Sequence, residues 1–233
     1  GALTANITFY RMDIAGFQDR SFDGVSFVVR NAGELRHQGF EFDTVIRPTP
    51  NFSVNASLAY LDSKFTDYPG GAGLPGCVAV GGNIPAVCAG LPNGGQIQDL
   101  KGVSNNYAAE FTGNVGATWS GDIGSSGMGW SLNGNMAFIS DINNGAVNDN
   151  NPQTIQDGYV LMSARFSIFG PDEQWSLSVF GSNLTDEGYC MQQFYQVLDR
   201  ELGMRNGIFS GSTGVRCSIG SPRTYGVAGS FRF

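Results

Sequence analysis

Hydrophobic and polar residues alternate along most of this chain. Leu3, Ala5, Ile7 and Phe9 alternate with Thr4, Asn6 and Thr8, and Phe40, Phe42, Thr44 and Ile46 with Glu41, Asp43 and Arg47. The same period recurs in Phe52–Tyr60, Phe111–Trp119, Trp130–Phe138, Val160–Ile168, Trp175–Val179 and Tyr225–Phe233. Successive side chains of a strand point to opposite faces, so each segment carries one apolar and one polar face. The pattern predicts eight strands, at 2–17, 25–47, 51–66, 106–120, 129–141, 157–169, 174–185 and 222–233. Most run about 11–16 residues, whereas strands of soluble proteins average about 5–6. A tilted strand crossing a bilayer needs about 9–11. Lipid tolerates no unpaired backbone polar group, so such strands must close into a barrel.

The connections sharpen this reading. The second (Arg47–Asn51, around Pro48 and Pro50), fourth (Gly121–Met128) and sixth (Gly170–Gln174) are tight turns. The third (67–105), fifth (142–156) and seventh (186–221) are long, while the first (18–24) is short. Outer-membrane barrels pair short periplasmic turns with long extracellular loops. The predicted fold class is therefore an all-β transmembrane antiparallel barrel with up-and-down strands. Tyr10, Tyr60, Tyr68, Tyr107, Trp119, Trp130, Tyr159, Trp175, Tyr189 and Tyr225 lie mostly near strand ends and suggest the aromatic girdles of such barrels. A large soluble β-sandwich would leave a wide apolar face uncovered.

Composition narrows the classes further. Of 233 residues 34 are Gly, only 14% are charged and 12% are aromatic. Glycine without a three-residue period excludes collagen, and the aromatic content excludes a disordered tail. The net charge of −7 and the absence of a Lys/Arg cluster exclude a nucleic-acid partner. No apolar run is long enough for a transmembrane helix. The four cysteines, Cys77, Cys88, Cys190 and Cys217, fit no metal spacing, and all fall in long loops. They allow three pairings; the simplest joins sequence neighbours, outside the cytosol.

Four stretches, in order, resemble the C-terminal part of TonB-dependent outer-membrane receptors. The first spans 31–68, where Asn31, Ala32, Gly33, Gly39, Glu41, Tyr60 and Asp62 fall on the family's pattern. The second is Gly158–Phe169, like the strand that precedes the family's N-L-T-D motif. The third is 175–189, with Asn183, Leu184, Thr185, Asp186 and Tyr189. The fourth is 222–233, like the family's closing strand. The resemblance implies that residues 1–233 are the last eight strands of a 22-stranded barrel. The plug domain and earlier strands would lie elsewhere in the receptor. It implies TonB-driven uptake of a scarce nutrient such as a ferric siderophore, vitamin or oligosaccharide. The implied partners are outer-membrane lipid, the plug and earlier strands, the TonB complex through the plug, and the barrel-assembly machinery. That machinery would read Tyr225, Phe231 and Phe233 at the chain end. The competing reading is an independent eight-stranded structural or adhesive barrel without active transport.

Enzyme chemistry finds no foothold: the single His37 sits within a strand, and no catalytic, cofactor or metal constellation is expected. Glu41 and Asp43, at i and i+2, read as lumen carboxylates. Asp141–Gly145 with Asp149 reads as a solvated loop rather than a Ca²⁺ site. Ligand contacts belong on the long loops. The third loop reads as a disulfide-braced cap. In the seventh, Phe194, Val197, Leu198 and Leu202 approach helical spacing before Gly203. They predict a short amphipathic helix or a hairpin extension, pinned by Cys190 and Cys217. Tyr189, Phe194, Tyr195, Arg200 and Arg205 are the candidate ligand-facing residues, suited to an anionic or ring-bearing ligand.

Overall fold

The structure is a computed structural model that describes residues 2–22, 27–73, 77, 89–90, 92–95, 97–195 and 215–232. Its strands are β1 (Leu3–Phe22), β2 (Phe27–Thr49), β3 (Phe52–Asp67), β4 (Gly71–Ala72), β5 (Ile97–Gln98), β6 (Phe111–Ile123) and β7 (Met128–Ile139). These are followed by β8 (Ile142–Asn143), β9 (Ile155–Gln156), β10 (Tyr159–Phe169), β11 (Trp175–Ser182), β12 (Cys190–Tyr195), β13 (Val215–Ile219) and β14 (Thr224–Phe231). Eight long strands form one antiparallel sheet in the order β1-β2-β3-β6-β7-β10-β11-β14. Each neighbours its predecessor among the long strands, so the wall is an up-and-down meander. The sheet is open, because β1 and β14 are its two edges and do not pair with each other.

The alternation works as anticipated. One face carries Phe9, Phe40, Tyr60 and Phe111 in register across four strands, with neighbouring ring centroids 6.3, 5.8 and 5.0 Å apart. Further down the same face, Trp119 meets Trp130 at 5.3 Å and Trp130 meets Phe166 at 6.5 Å. Phe111 and Gly121, the partner of Trp130, are ten residue steps apart along β6. That is about 33 Å along a strand, or about 25 Å at a tilt near 40°, the height of a barrel's apolar band. Between the aromatic rows lie Val115, Met162, Val179 and Val227, all exposed in this sheet. This face is lipid-facing. The opposite face is a ladder of small polar side chains. Asn114 donates to Asn135 at 2.8 Å, Thr118 to Asn133 at 2.9 Å, and the Ser167 and Ser178 hydroxyls hydrogen-bond to each other at 2.8 Å. Glu41 and Asp43 lie on this inner face, as expected.

The motif glycines have steric reasons. Gly33 lies at a bulge with φ +97°, and a Cβ there would collide with the Asp67 carbonyl. Gly39 lets the Tyr10 ring cross the sheet, so that Tyr10 Oη donates to the Tyr60 carbonyl at 3.4 Å. The Asn183 motif is a clip. Asn183, at φ 49°, donates to the carbonyls of Glu187 (2.9 Å) and Ser221 (3.0 Å) and accepts from Glu187 N (2.9 Å). Asp186 accepts from Arg223 N at 3.1 Å. The motif therefore ties the end of β11 to the approach to β14.

Three expectations need correction. β1 runs past its predicted end to Phe22, while β2 begins at Phe27, just inside its predicted start, so the first connection is short because the strands themselves project beyond the membrane. The seventh loop begins and ends as a strand pair where a helix was one of two expectations: β12 pairs with β13, and Val197, Leu198 and Leu202 lie outside the described residues. This is the hairpin alternative, and residues 196–214 lie outside the described residues. Third, Tyr68 is no girdle residue. It is 1% exposed in a small core with Leu35, Phe65 and Leu100, on the inner side above the membrane.

Candidate functional site

The long loops fold inward over the inner face and knit into one platform. Asp19, at the top of β1, accepts from Tyr68 Oη at 2.8 Å and from Asn148 Nδ2 at 2.9 Å. Asn148 Oδ1 accepts from Asn106 N at 2.7 Å, and Asn106 Nδ2 donates to the carbonyls of Gly145 (3.0 Å) and Val147 (2.6 Å). Gln98 Nε2 donates to the Ala72 and Asp149 carbonyls at 2.9 and 2.8 Å. The last loop joins through a parallel bridge between Gly145 and Gln193. Asn144 Nδ2 donates to the Cys190 carbonyl at 2.5 Å, and Gln156 Oε1 accepts from Cys190 N at 2.9 Å. Asn and Gln suit this role because each offers donors and an acceptor to backbone left over by irregular chain. The loop Asp141–Gly145 with Asp149 was expected to be solvated; instead Asn144, Asn148 and Asp149 are buried.

Burial carries an electrostatic consequence. Desolvation pushes the Asp149 carboxyl up to about 6, with repulsion from Asp19 adding to it and the Asn151 N–H bond (3.1 Å) opposing it. Tyr68 is also raised, first by burial and then by its bond to Asp19. Among the described residues no group of three or more His, Cys, Asp or Glu side chains converges as a metal site.

An open surface lies beside this platform. Tyr107 has φ 61°, a strained conformation for an aromatic residue. Its N–H bonds the Asn143 carbonyl at 2.8 Å, its ring is 49% exposed, and its hydroxyl accepts from Gln192 Nε2 at 2.9 Å. Phe194 follows Gln192 by two residues in β12 and shares its face, with Arg216 of β13 directly opposite in register. Phe194 is 39% exposed, and Arg216 is exposed with no ion-pair partner among the described residues. Two rings, an amide and a guanidinium thus share one patch.

The residues expected to face ligand divide. Phe194 is on this patch. Tyr189 stacks on Tyr159 at 4.6 Å and braces the loop base. Tyr195 pairs with Val215 through its backbone. Arg200 and Arg205 lie outside the described residues. Cys190 and Cys217 form a disulfide with Cα atoms 5.4 Å apart. Cys77 is disulfide-bonded, and Cys88 lies outside the described residues. Tyr225 and Phe231 lie on the lipid-facing side of β14, 70% and 65% exposed in this sheet, and Phe233 lies outside the described residues. Sequence reasoning missed Tyr107, Gln192 and Arg216. The Tyr107–Gln192 contact joins positions 85 apart, so no local pattern marks it.

A family model described as the TonB dependent receptor-like β-barrel matches residues 1–184. The chain belongs to the TonB-dependent receptor family. Members of this family are bacterial outer-membrane proteins, which fits the lipid-facing wall. The ferric yersiniabactin uptake receptor FyuA from Yersinia pestis superposes with TM-score 0.65 at 14% identity, over 100% of this chain and 28% of its own. The ferric-catecholate import receptor Fiu from Escherichia coli K12 gives 0.59 at 15%, over 98% of this chain and 25% of its own. The copper transporter OprC gives 0.57 at 18%, over 100% of this chain and 29% of its own. At these identities the likeness is one of fold. The chain spans under a third of the length of these receptors. A search of curated sequences returns no match.

Proposed function

We propose that this chain is the C-terminal portion of the barrel wall of a TonB-dependent receptor that takes up a scarce nutrient across the outer membrane. The observation that carries the reading is the open wall itself, whose two edges leave room for further strands and whose inner face carries a ladder of polar side chains. The earlier strands and the plug belong to the rest of the receptor, and the TonB complex acts through that plug. The barrel-assembly machinery reads the aromatics Tyr225, Phe231 and Phe233. Long loops above the wall receive the cargo, with Tyr107, Gln192, Phe194 and Arg216 as the contact patch. Arg200 and Arg205 of the same loop supply further positive charge. The solved neighbours named above handle ferric chelates and copper, which favours a metal chelate over a vitamin or oligosaccharide. An aromatic and cationic patch suits an anionic, ring-bearing chelate.

The test is growth of a bacterium whose intact receptor is its sole route for the chelate. Growth should require both the receptor and TonB, and the double change Phe194→Ala/Arg216→Gln should weaken binding about tenfold or more. Growth that is independent of TonB would overturn the uptake reading.

A further inference from the structure

Directly above the upper aromatic row, on the same lipid-facing side, the wall changes from rings to charges. Phe9, Phe40 and Tyr60 are followed, two residues higher in register, by Arg11, Gln38 and Asp62. Two residues higher again come Asp13, Arg36 and Lys64. At about 3.3 Å per residue these rows lie about 7 and 13 Å beyond the aromatics along the strands, the depth of a headgroup layer. The segment ending in Ser104, which bridges Lys64, adds Lys101 to the same recess.

The bonding in this cluster leaves its cations facing outward. Asp13 is held from both sides by the Nε atoms of Arg11 (3.0 Å) and Arg36 (2.6 Å). Among the described residues the terminal nitrogens of neither guanidinium make a further hydrogen bond. Lys64 pairs with Asp62 at 2.8 Å, and Asp62 also accepts from Gln38 at 3.0 Å. Lys101 has no ion-pair partner among the described residues. Four cations therefore meet two carboxylates in side-chain ion pairs, in a chain of net charge −7. The further acids nearby are Asp99, which accepts from Lys101 N at 3.0 Å and makes no ion pair with its ammonium, Glu110, within electrostatic range of Lys64, and Glu34, which accepts from Thr66 at 3.4 Å. A buried purpose for these charges is excluded, since the Arg11 and Lys64 side chains are 57% and 53% exposed.

We infer that this cluster is a binding site for the phosphorylated headgroup of an outer-leaflet lipid. The chemistry is specific: two guanidinium forks, pre-oriented by one shared carboxylate, match phosphate oxygens two at a time. The position is equally specific, because the site continues the lipid-facing aromatic row without a break. A lipid seated there has its chains on Phe9, Phe40 and Tyr60 and its phosphate among Arg11, Arg36, Lys64 and Lys101. This surface is separate from the loop patch proposed for cargo, which lies over the inner face.

The test uses the intact receptor in detergent, titrated with bisphosphorylated lipid A and followed by native mass spectrometry. The wild type should retain the lipid, and dephosphorylated lipid A should bind about tenfold more weakly or worse. Arg11→Gln/Arg36→Gln/Lys64→Gln/Lys101→Gln should lose about tenfold or more in affinity. Because Arg11 and Arg36 also hold Asp13, Lys64→Gln/Lys101→Gln is measured as a milder change. It should lose affinity several-fold while keeping the heat-modifiable gel shift of a folded barrel. Equal binding of both lipid forms, or unchanged affinity in both variants, overturns the inference. So does displacement of the lipid by millimolar inorganic phosphate, which would assign the cluster to a soluble anion.

Discussion

At the scale of single residues, the two positions that carry the clearest energetic signature are Asn183 and Asp149. Asn183 makes three hydrogen bonds from a left-handed backbone that asparagine tolerates better than most residues. Asn183→Ala should cost about 2–3 kcal/mol, from unsatisfied backbone groups at Glu187 and Ser221. Asn183→Asp keeps the acceptor and should cost less. Lower temperatures for the loss of the compact gel band would record both, and equal midpoints for wild type and Asn183→Ala would contradict the clip. For Asp149 the sign follows from a folded pKa raised to about 6, above the unfolded value near 4. The folded loops hold the proton more tightly, so they are most stable at low pH and lose stability as pH rises through about 4–6. The platform should therefore show slower protease nicking at pH 5 than at pH 7.5. Asp149→Asn should flatten that dependence, and an Asp149→Asn receptor with the wild-type pH profile would refute the assignment. The residue scale was also the least legible. Asn183 and Asp186 stood out as a motif, but that they join β11 to the approach to β14 depends on Ser221 and Arg223, almost 40 positions on.

At the scale of elements, alternation made the wall readable because each strand has one lipid-facing side and one polar side. Where alternation breaks, the reading broke too. The bulge after Ala15, with Gly16 at φ 64°, resets the side-chain parity of β1. Gln18–Phe22 consequently looked like loop, although the backbone ladder continues to Phe22. In the seventh loop, apolar spacing suggested a helix, but pairing of β12 with β13 and the Cys190–Cys217 link prevailed locally. Face assignment has a direct test. Val179 is on the lipid side and Ser163 on the inner side of neighbouring strands. Val179→Arg should destabilise the barrel by about 2–4 kcal/mol, whereas Ser163→Arg should be accepted with little loss. Denaturant unfolding in lipid vesicles measures both, and the reverse order would mean that the faces are exchanged.

At the scale of the whole molecule, the low charge content and the high glycine content have a common origin. Half of every long strand faces lipid, and the other half is built from small polar side chains suited to a wide, occupied lumen. An eight-stranded barrel of its own would close by pairing β1 with β14, and the two edges instead stand apart. The family and the barrel class were legible because motifs in the right order are spaced by whole strands. The cargo was not, because the patch of Tyr107, Gln192, Phe194 and Arg216 is assembled from loops distant in sequence, with no periodicity to mark it. The most direct test is an experimental structure of the intact receptor in lipid, read at the two edges of this wall. The backbone of β1 should be hydrogen-bonded along its free edge to a strand that precedes this segment, and β14 to the first strand of the same barrel. Density showing β1 paired with β14 in a closed eight-stranded barrel would contradict the account.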